Sequence, residues 1–283
     1  MMQTLRNLLR MIKFPHTVFA LPFALMGALL AEKRIPPVDK LLWILLAMAG
    51  ARTAAMTLNR IVDRDLDAAN PRTAEREIPQ GIITTRQAMV MLAASVILFE
   101  WAAFSLNRLC LILSPVALFI ILGYSFTKRF TRYSHMVLGL SLGIAPAGAW
   151  IAVRGSVDLP VILLSLAVLF WAAGFDILYA IQDVDFDRKA GLHSIPRFLG
   201  VRASLLLARV FHAFTFMILL IITFLVGLGV YYLIGVLTVG GLLFYEHSLV
   251  SEKDLSRLNV AFFNMNGYIS VTIFAFTLLD ILL

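Results

Sequence analysis

Long apolar stretches separated by short polar segments dominate this chain. A helix that crosses a bilayer needs about 20 mostly apolar residues. Nine stretches reach or approach that length, of which the first is slightly short and the eighth is rich in glycine: 16–31, 40–60, 88–106, 109–127, 135–153, 159–182, 204–224, 227–246 and 260–282. Within the fifth, the small residues of 139–150 favour close helix packing. The pattern predicts an all-α membrane protein with about nine transmembrane helices.

Composition supports the same class of protein. Apolar residues make up 60% of the 283 residues, charged residues only 14%, and the mean hydropathy is +0.89. Soluble domains carry about 25% charged residues, so a large soluble core is excluded. The single cysteine, Cys110, excludes an internal disulfide, and no pair of the five histidines has the spacing of a zinc motif.

The distribution of Lys and Arg predicts the orientation in the membrane. With the N-terminus in the cytoplasm, 17 basic residues lie on the inside and 5 on the outside, while Arg52 and Arg209 fall within predicted helices. Cytoplasmic loops of membrane proteins are enriched in Lys and Arg. The net charge of +7 therefore reflects topology, and no nucleic-acid partner is expected. The polar, basic N-terminus leads into a full-length helix, so no cleavable signal peptide is expected.

The first of two acid-rich motifs follows the second predicted helix. Asn59, Asp63 and Asp67 recur at every fourth residue, which places them along one face of a continuous helix. Carboxylates at a bilayer are usually functional, and Mg²⁺ is often bound by one or two carboxylates together with substrate phosphates. The alternative is a solvated helix end whose acids pair with Arg60 and Arg64.

The second motif repeats this spacing after the sixth predicted helix. Asp183 and Asp187 are four residues apart, and Asp176 lies deeper on nearly the same face, where it needs a partner or a metal. The alternative is a charged cap at the membrane interface. Asp65 and Asp185 lie off these faces and are expected to be ordinary solvated or paired acids.

Basic residues accompany both motifs and could bind phosphate. Arg72 and Arg76 follow the first motif, Lys189 lies in the second, and Lys128 ends the fourth predicted helix. An arginine side chain can donate hydrogen bonds to two phosphate oxygens at once, whereas a lysine ammonium acts as a point charge. The alternative is that they only set topology. Phosphate binding is favoured for Arg72 and Lys128, whereas both interpretations stay open for Arg129 and Arg132.

Arg52 lies two turns before Asn59, on the same helix face and about 10 Å deeper. An arginine at that depth requires an anion or carbonyl groups. Two interpretations are open: Arg52 binds a carboxylate of an acceptor substrate, or it pairs with Asp176.

These motifs resemble the UbiA superfamily of intramembrane prenyltransferases. That family pairs an N-D-x-x-D-x-x-x-D motif after its second helix with a D-x-x-x-D motif after its sixth. The similarity extends over nearly the whole chain, from Lys13-Phe14-Pro15 to the ninth predicted helix, and includes Tyr124-x-x-x-Lys128-Arg129-x-Thr131. One departure is Arg60, which stands where many members have Asp.

The resemblance implies a single domain over residues 1–283, with nine helices around a central cavity. It also implies Mg²⁺ ions and a polyprenyl diphosphate whose tail lies in the bilayer. The expected metal ligands are Asn59, Asp63, Asp67, Asp183 and Asp187. The four aspartates among them, with Asp176 and Tyr124, are the expected catalytic residues. The expected substrate-binding residues are Arg52, Arg72, Arg76, Lys128, Tyr179 and Lys189.

The expected function is transfer of a polyprenyl group to an aromatic acid in ubiquinone or menaquinone biosynthesis. The acceptor would be of the 4-hydroxybenzoate or the dihydroxynaphthoate type, and the active site would face the cytoplasm at a bacterial or archaeal inner membrane. One alternative is a transporter that uses the acids for proton or cation coupling, although transporters usually place such sites near the midplane. Another is an enzyme of the same fold with a non-quinone acceptor.

Overall fold

The computed structural model describes residues 2–12 and 19–283, and these residues form helices and connecting turns without any strand. The α-helices are α1 Met2–Met11, α2 Leu21–Glu32, α3 Val38–Val62, α4 Arg64–Ala69, α5 Thr85–Leu106, α6 Arg108–Thr127, α7 Ser134–Arg154, α8 Leu159–Ala180, α9 Val184–Lys189, α10 Ile195–Val226, α11 Val230–Ser248 and α12 Asn266–Leu282. A 3₁₀ turn, Ile181–Asp183, joins α8 to α9, and a π-helix, Val260–Met265, precedes α12.

Eight of the helical segments are long and apolar enough to cross a membrane, which confirms an all-α membrane protein. The first predicted helix corresponds to α2, which has 12 residues. Its predicted start at 16–18, like Lys13-Phe14-Pro15, lies outside the described residues. A ninth crossing therefore stays a prediction.

The core is organised around α8, which packs between α7 and α10, and α2 packs against α7 and also contacts α8. The fully buried ring of Trp171 on α8 contacts Phe23 of α2 and Phe175, with ring centroids 4.9 Å apart in each pair. A Cβ on Gly139 would collide with the carbonyl oxygen of Leu169, so α7 and α8 approach closely, as the small residues of 139–150 predict.

Both acid-rich motifs lie where a long helix breaks and a six-residue helix begins. Asp63 separates α3 from α4 with φ −91° and ψ 5°, and Asp183 precedes α9 with φ −100° and ψ 4°. Asp67 and Asp187 then occupy the fourth position of α4 and α9, respectively. The prediction that each motif continues one straight helix face is therefore wrong, and the two motifs share one backbone pattern.

Candidate active site

Asp63 is buried at the break between α3 and α4 and is held by three side chains. Lys128 Nζ lies 2.6 Å from one carboxylate oxygen, and Arg129 Nη2 lies 2.9 Å from the other. The amide nitrogen of Asn59 also donates to Asp63, at 3.1 Å. The side chain of Asp63 is only 2% exposed, so these contacts compensate a charge that has lost most of its water. They tie the end of α6 to the first motif.

Asp67 is bound by the loop that follows it. Arg76 Nη1 donates to both carboxylate oxygens, at 2.7 and 2.8 Å. The hydroxyl of Thr73 donates to the backbone carbonyl of Asp67 at 3.1 Å. The loop therefore folds back over α4 and brings its basic residues to the motif.

Arg72 connects the two motifs directly. Its Nε and Nη2 donate to the two oxygens of Asp183 at 2.9 and 2.6 Å, and its Nη1 donates to the hydroxyl of Tyr179 at 3.0 Å. Asn70 adds a hydrogen bond to Asp183 at 3.3 Å. Burial alone would lower the pKa of the Arg72 guanidinium, but its hydrogen bond and charge interaction with Asp183 outweigh burial and raise the pKa. Arg72 is thus a permanent cation between the motifs.

Lys128 provides a second connection. Besides its ion pair with Asp63, it lies near enough to Asp187 to act on that carboxylate electrostatically. The backbone carbonyl of Lys128 accepts from the N–H of His193 at 2.7 Å, and Ser194 hydrogen-bonds to Asp187. The segment after α9 therefore packs against the end of α6, and the two motifs share one polar site.

His135, a residue that sequence reasoning left unassigned, holds Asp176. Its Nδ1 lies 2.7 Å from Asp176 Oδ2, and its Nε2 accepts from the backbone N–H of Ile195 at 3.3 Å. Because a backbone N–H can only donate, this network assigns the ring proton to Nδ1. His135 then donates to Asp176. The available signal was its position at the start of the fifth predicted helix, on the same membrane side as both motifs.

The remaining predicted site residues have more diverse surroundings. Tyr124 lies within electrostatic range of Asp176 and Asp63, and the ring of Tyr179 stacks on Phe262 with centroids 4.0 Å apart. Arg52 is half-buried on α3, and Asp176, one of its two predicted partners, hydrogen-bonds to His135. Lys189 is exposed at the end of α9 and belongs to none of the ion pairs among the described residues.

The alternative interpretation of the first motif placed its acids against Arg60 and Arg64. Arg60 is buried, and its guanidinium donates to the carbonyl of Met11 at 3.4 Å and to the side-chain oxygen of Asn59 at 3.5 Å. It also lies within electrostatic range of Asp67 and Asp63 but forms no ion pair with them. Arg64 pairs with Asp65, whose side chain is 87% exposed. Asp185 is equally exposed and lies 3.7 Å from Arg188. Asp65 and Asp185 are therefore the solvated, paired acids that the spacing predicts.

The side chains of the two motifs are of the types that bind a hard cation such as Mg²⁺. They offer carboxylate and amide oxygens, the ligands that Mg²⁺ prefers. In the described part of the chain no three His, Cys, Asp or Glu side chains converge as a metal cage. Mg²⁺ does not require one, since it commonly binds one or two carboxylates and completes its shell with water and substrate phosphates. In this structure Asp63, Asp67 and Asp183 each form an ion pair with a basic side chain.

Comparisons with known proteins show which family the chain resembles. The model of the UbiA prenyltransferase family matches residues 20–268. A 4-hydroxybenzoate octaprenyltransferase of Nitrosospira multiformis is 33% identical over 91% of this chain and 88% of its own length. One of Escherichia fergusonii is 32% identical over 86% and 83%, respectively.

Two solved structures share the fold. The apo structure of a UbiA homologue from Aeropyrum pernix K1 is 33% identical and superimposes with a TM-score of 0.86, covering 94% of this chain and 98% of its own. A UbiA homologue from Archaeoglobus fulgidus bound to DMAPP and Mg²⁺ is 21% identical, with a TM-score of 0.75 over 98% of this chain and 99% of its own. At that identity the second likeness is one of fold.

Proposed function

This chain belongs to the UbiA prenyltransferase family, and on that basis we propose that it transfers a polyprenyl group from a polyprenyl diphosphate to an aromatic acid, releasing pyrophosphate. The family match favours this enzyme over the transporter that the acids alone allow. The observation that carries the proposal is the fork of Arg72 on Asp183, since it joins the loop of the first motif to the second motif. A substrate diphosphate would bind between them.

Basic side chains next to the acids are proposed to receive the diphosphate. Arg72, Arg76 and Lys128 each rest on a carboxylate of a motif, and Lys189 is exposed beside the second. Preorganised cations aimed at a leaving group stabilise the charge that develops in the transition state. These residues would therefore neutralise pyrophosphate as it departs.

We propose Mg²⁺ as the cofactor, held by Asn59, Asp63, Asp67, Asp183 and Asp187. The ligands named for the A. fulgidus homologue, DMAPP and Mg²⁺, support this choice. When bound, the metal supplies Lewis-acid stabilisation of the diphosphate oxygens. Carboxylates engaged with metal no longer compensate Arg72, Arg76 and Lys128, whose charges then become available to phosphate.

In the reaction, the allylic C–O bond breaks and its electron pair leaves with pyrophosphate. A ring carbon of the acceptor attacks the allylic cation, and the ring then loses a proton. Asp176 and Tyr124 are proposed to stabilise the cation or orient the acceptor, with His135 fixing the position of Asp176 through their 2.7 Å hydrogen bond. Arg52, deeper on α3, is proposed to bind the acceptor carboxylate.

The names of the relatives favour a 4-hydroxybenzoate-type acceptor and ubiquinone biosynthesis. A dihydroxynaphthoate-type acceptor in menaquinone biosynthesis is the second candidate, and a non-quinone acceptor is the third. The excess of basic residues on the side of the motifs supports an active site that faces the cytoplasm from an inner membrane.

The proposal is tested with membranes that contain the protein, a labelled polyprenyl diphosphate and 4-hydroxybenzoate. We expect prenylated 4-hydroxybenzoate in the product mass spectrum, loss of turnover in EDTA, and recovery when Mg²⁺ is added in excess. Equal turnover with and without EDTA would contradict the metal role. A prenylated product formed only with a dihydroxynaphthoate would reassign the acceptor while preserving the reaction class.

A further inference from the structure

A cavity of about 720 Å³ lies between α10 and α11. One end is polar and is lined by Arg209, His212 and His247. The other end is apolar and is lined by residues such as Phe216 and Leu237. The volume falls within the range of about 300–1,000 Å³ that is typical of small-molecule sites. None of these residues belongs to the acid-rich site.

The polar end lies at the membrane interface on the side of both acid-rich motifs. Gly200, with φ +79°, interrupts α10 near its start. The straight part of α10 that follows Gly200 ends at Val226, on the membrane side opposite the motifs. At 1.5 Å per residue, Arg209 is about 26 Å from Val226, and His247 is about 26 Å from Val230. The hydrocarbon core is about 30 Å thick. With Val226 and Val230 taken as the opposite boundary of the hydrocarbon, both polar residues reach the boundary with the headgroups, and the apolar end of the cavity lies within the hydrocarbon.

The two histidines are hydrogen-bonded to each other and form one wall of the cavity. His212 Nε2 lies 3.2 Å from the carbonyl oxygen of Trp171, which can only accept, so this nitrogen carries a proton. In the neutral ring His212 Nδ1 then accepts from His247 Nε2, at 3.0 Å. Fully buried Glu246 lies behind this wall, 3.6 Å from His212. Of the imidazole nitrogens of this pair, only the buried His247 Nδ1 lacks a hydrogen-bond partner among the described residues. The lining of the cavity contains one charged group.

That group is Arg209, an exposed arginine in a membrane-crossing helix. The ion pairs of the described residues do not include it, and Glu246 is turned toward His212. An arginine near the end of a transmembrane helix reaches toward the interface and attracts anionic lipid. The same residues do not form a metal cage in the part of the chain that the structure describes. The guanidinium of Arg209 is therefore expected to pair with an anion at the depth of the lipid headgroups.

We propose that this cavity binds an anionic phospholipid, with the phosphate of the headgroup at Arg209 and one acyl chain between Phe216 and Leu237. The charge of Arg209 and the depth of the cavity in the membrane both favour this ligand. A cation at the interface pairs with a headgroup phosphate, and the apolar remainder of the cavity extends along the direction of an acyl chain. The site lies outside the proposed reaction centre and does not depend on the identity of its substrates.

Native mass spectrometry of the purified full chain tests the proposal. The protein in detergent is titrated with phosphatidylglycerol or with phosphatidylcholine of the same acyl chains, and the affinity for the first bound lipid is compared. We expect phosphatidylglycerol to bind about fivefold more tightly, the scale of one basic side chain acting on an anionic headgroup. Arg209→Gln should abolish that preference.

Two further variants distinguish the effect of the Arg209 charge on lipid binding from the effect of the cavity's shape. Arg202→Gln removes an exposed charge two turns earlier on α10, outside the cavity lining, and should keep the preference. Ala213→Leu fills the cavity without a change of charge and should weaken binding of both lipids. Equal binding of the two lipids to the unmodified protein, or equal effects of Arg209→Gln and Arg202→Gln, would overturn the proposal. Displacement of the first phosphatidylglycerol by one polyprenyl diphosphate would also overturn it, since the cavity would then belong to the substrate.

Discussion

At the scale of single residues, the proposed site depends on the contact that Arg72 makes with Asp183. Its planar guanidinium meets both oxygens of Asp183 and still reaches the hydroxyl of Tyr179. A lysine keeps the charge but cannot form this fork, because its ammonium is a point charge on a flexible stem. The geometry, beyond the charge, therefore distinguishes Arg72 from the other basic residues of the loop.

We expect Arg72→Lys to lower kcat/KM for the polyprenyl diphosphate by about 10- to 150-fold. The loss corresponds to one hydrogen bond to a charged group, worth about 1.5–3 kcal/mol. Initial rates at varied polyprenyl diphosphate measure it. Arg188→Lys is the matched control, since Arg188 is 65% exposed and lies 3.7 Å from a solvated acid. An unchanged rate in Arg72→Lys would show that the planar guanidinium of Arg72 is not needed to bind the diphosphate.

Sequence reasoning identified the acids and bases of this site but not how they pair. The spacing marked Asp63 and Asp183 and excluded Asp65 and Asp185 from the motif faces. It could not place Lys128 on Asp63, because the two residues lie on different helices and their contact depends on tertiary packing. His135 was missed for the same reason, since its partner is 41 residues away.

At the scale of elements, hydrophobic length predicted the helices well and placed the ends of α3 and α8 within two residues, but it did not predict the breaks at Asp63 and Asp183. Spacing alone cannot show a break, since Asn59, Asp63 and Asp67 fit an unbroken helix. The break is stabilised from outside: Arg129 Nη2 donates at 2.9 Å to the carbonyl of Val62, the last residue of α3. Cations favour helix C-termini, where carbonyls lack helical partners. Arg129 thus acts both as an ion-pair partner and as a helix cap.

The close contact of α7 with α8 yields a prediction about stability. Gly139→Ala should destabilise the protein, because the added Cβ meets the backbone carbonyl of Leu169, which cannot move aside without shifting α8. Overpacking of this kind typically destabilises by about 1–3 kcal/mol. The temperature at which detergent-solubilised protein loses its monodisperse gel-filtration peak reports the effect.

Gly148→Ala is the control for that experiment. Gly148 lies on the same helix, and a Cβ there meets no atom within 4 Å. Both substitutions gain the same helix propensity, so the difference between them isolates the contact with α8. Equal melting temperatures for the two variants would argue against close packing at Gly139.

For the whole molecule, composition was sufficient to predict a membrane protein of helices alone, since segments of about 20 apolar residues have few other stable arrangements. The relation between the two motifs required the structure. Asp67 and Asp187 are far apart in the chain, yet the loop after α4 and the segment after α9 bring them to one polar site through Arg72 and Lys128. Apolar periodicity carries no information about which polar loops meet.

The distribution of charge predicts the orientation of the whole molecule, and this prediction can be tested with single cysteines. In a background with Cys110→Ala, the test positions are Asp185, whose side chain is 89% exposed beside the second motif, and Val157, exposed between α7 and α8. Because the basic residues favour a cytoplasmic position for the motifs, a membrane-impermeant maleimide should label Val157→Cys on intact cells. It should label Asp185→Cys only in inverted vesicles. Labelling of Asp185→Cys on intact cells would reverse the orientation and place diphosphate binding on the outer face, where the proposed lipid cavity would then also open.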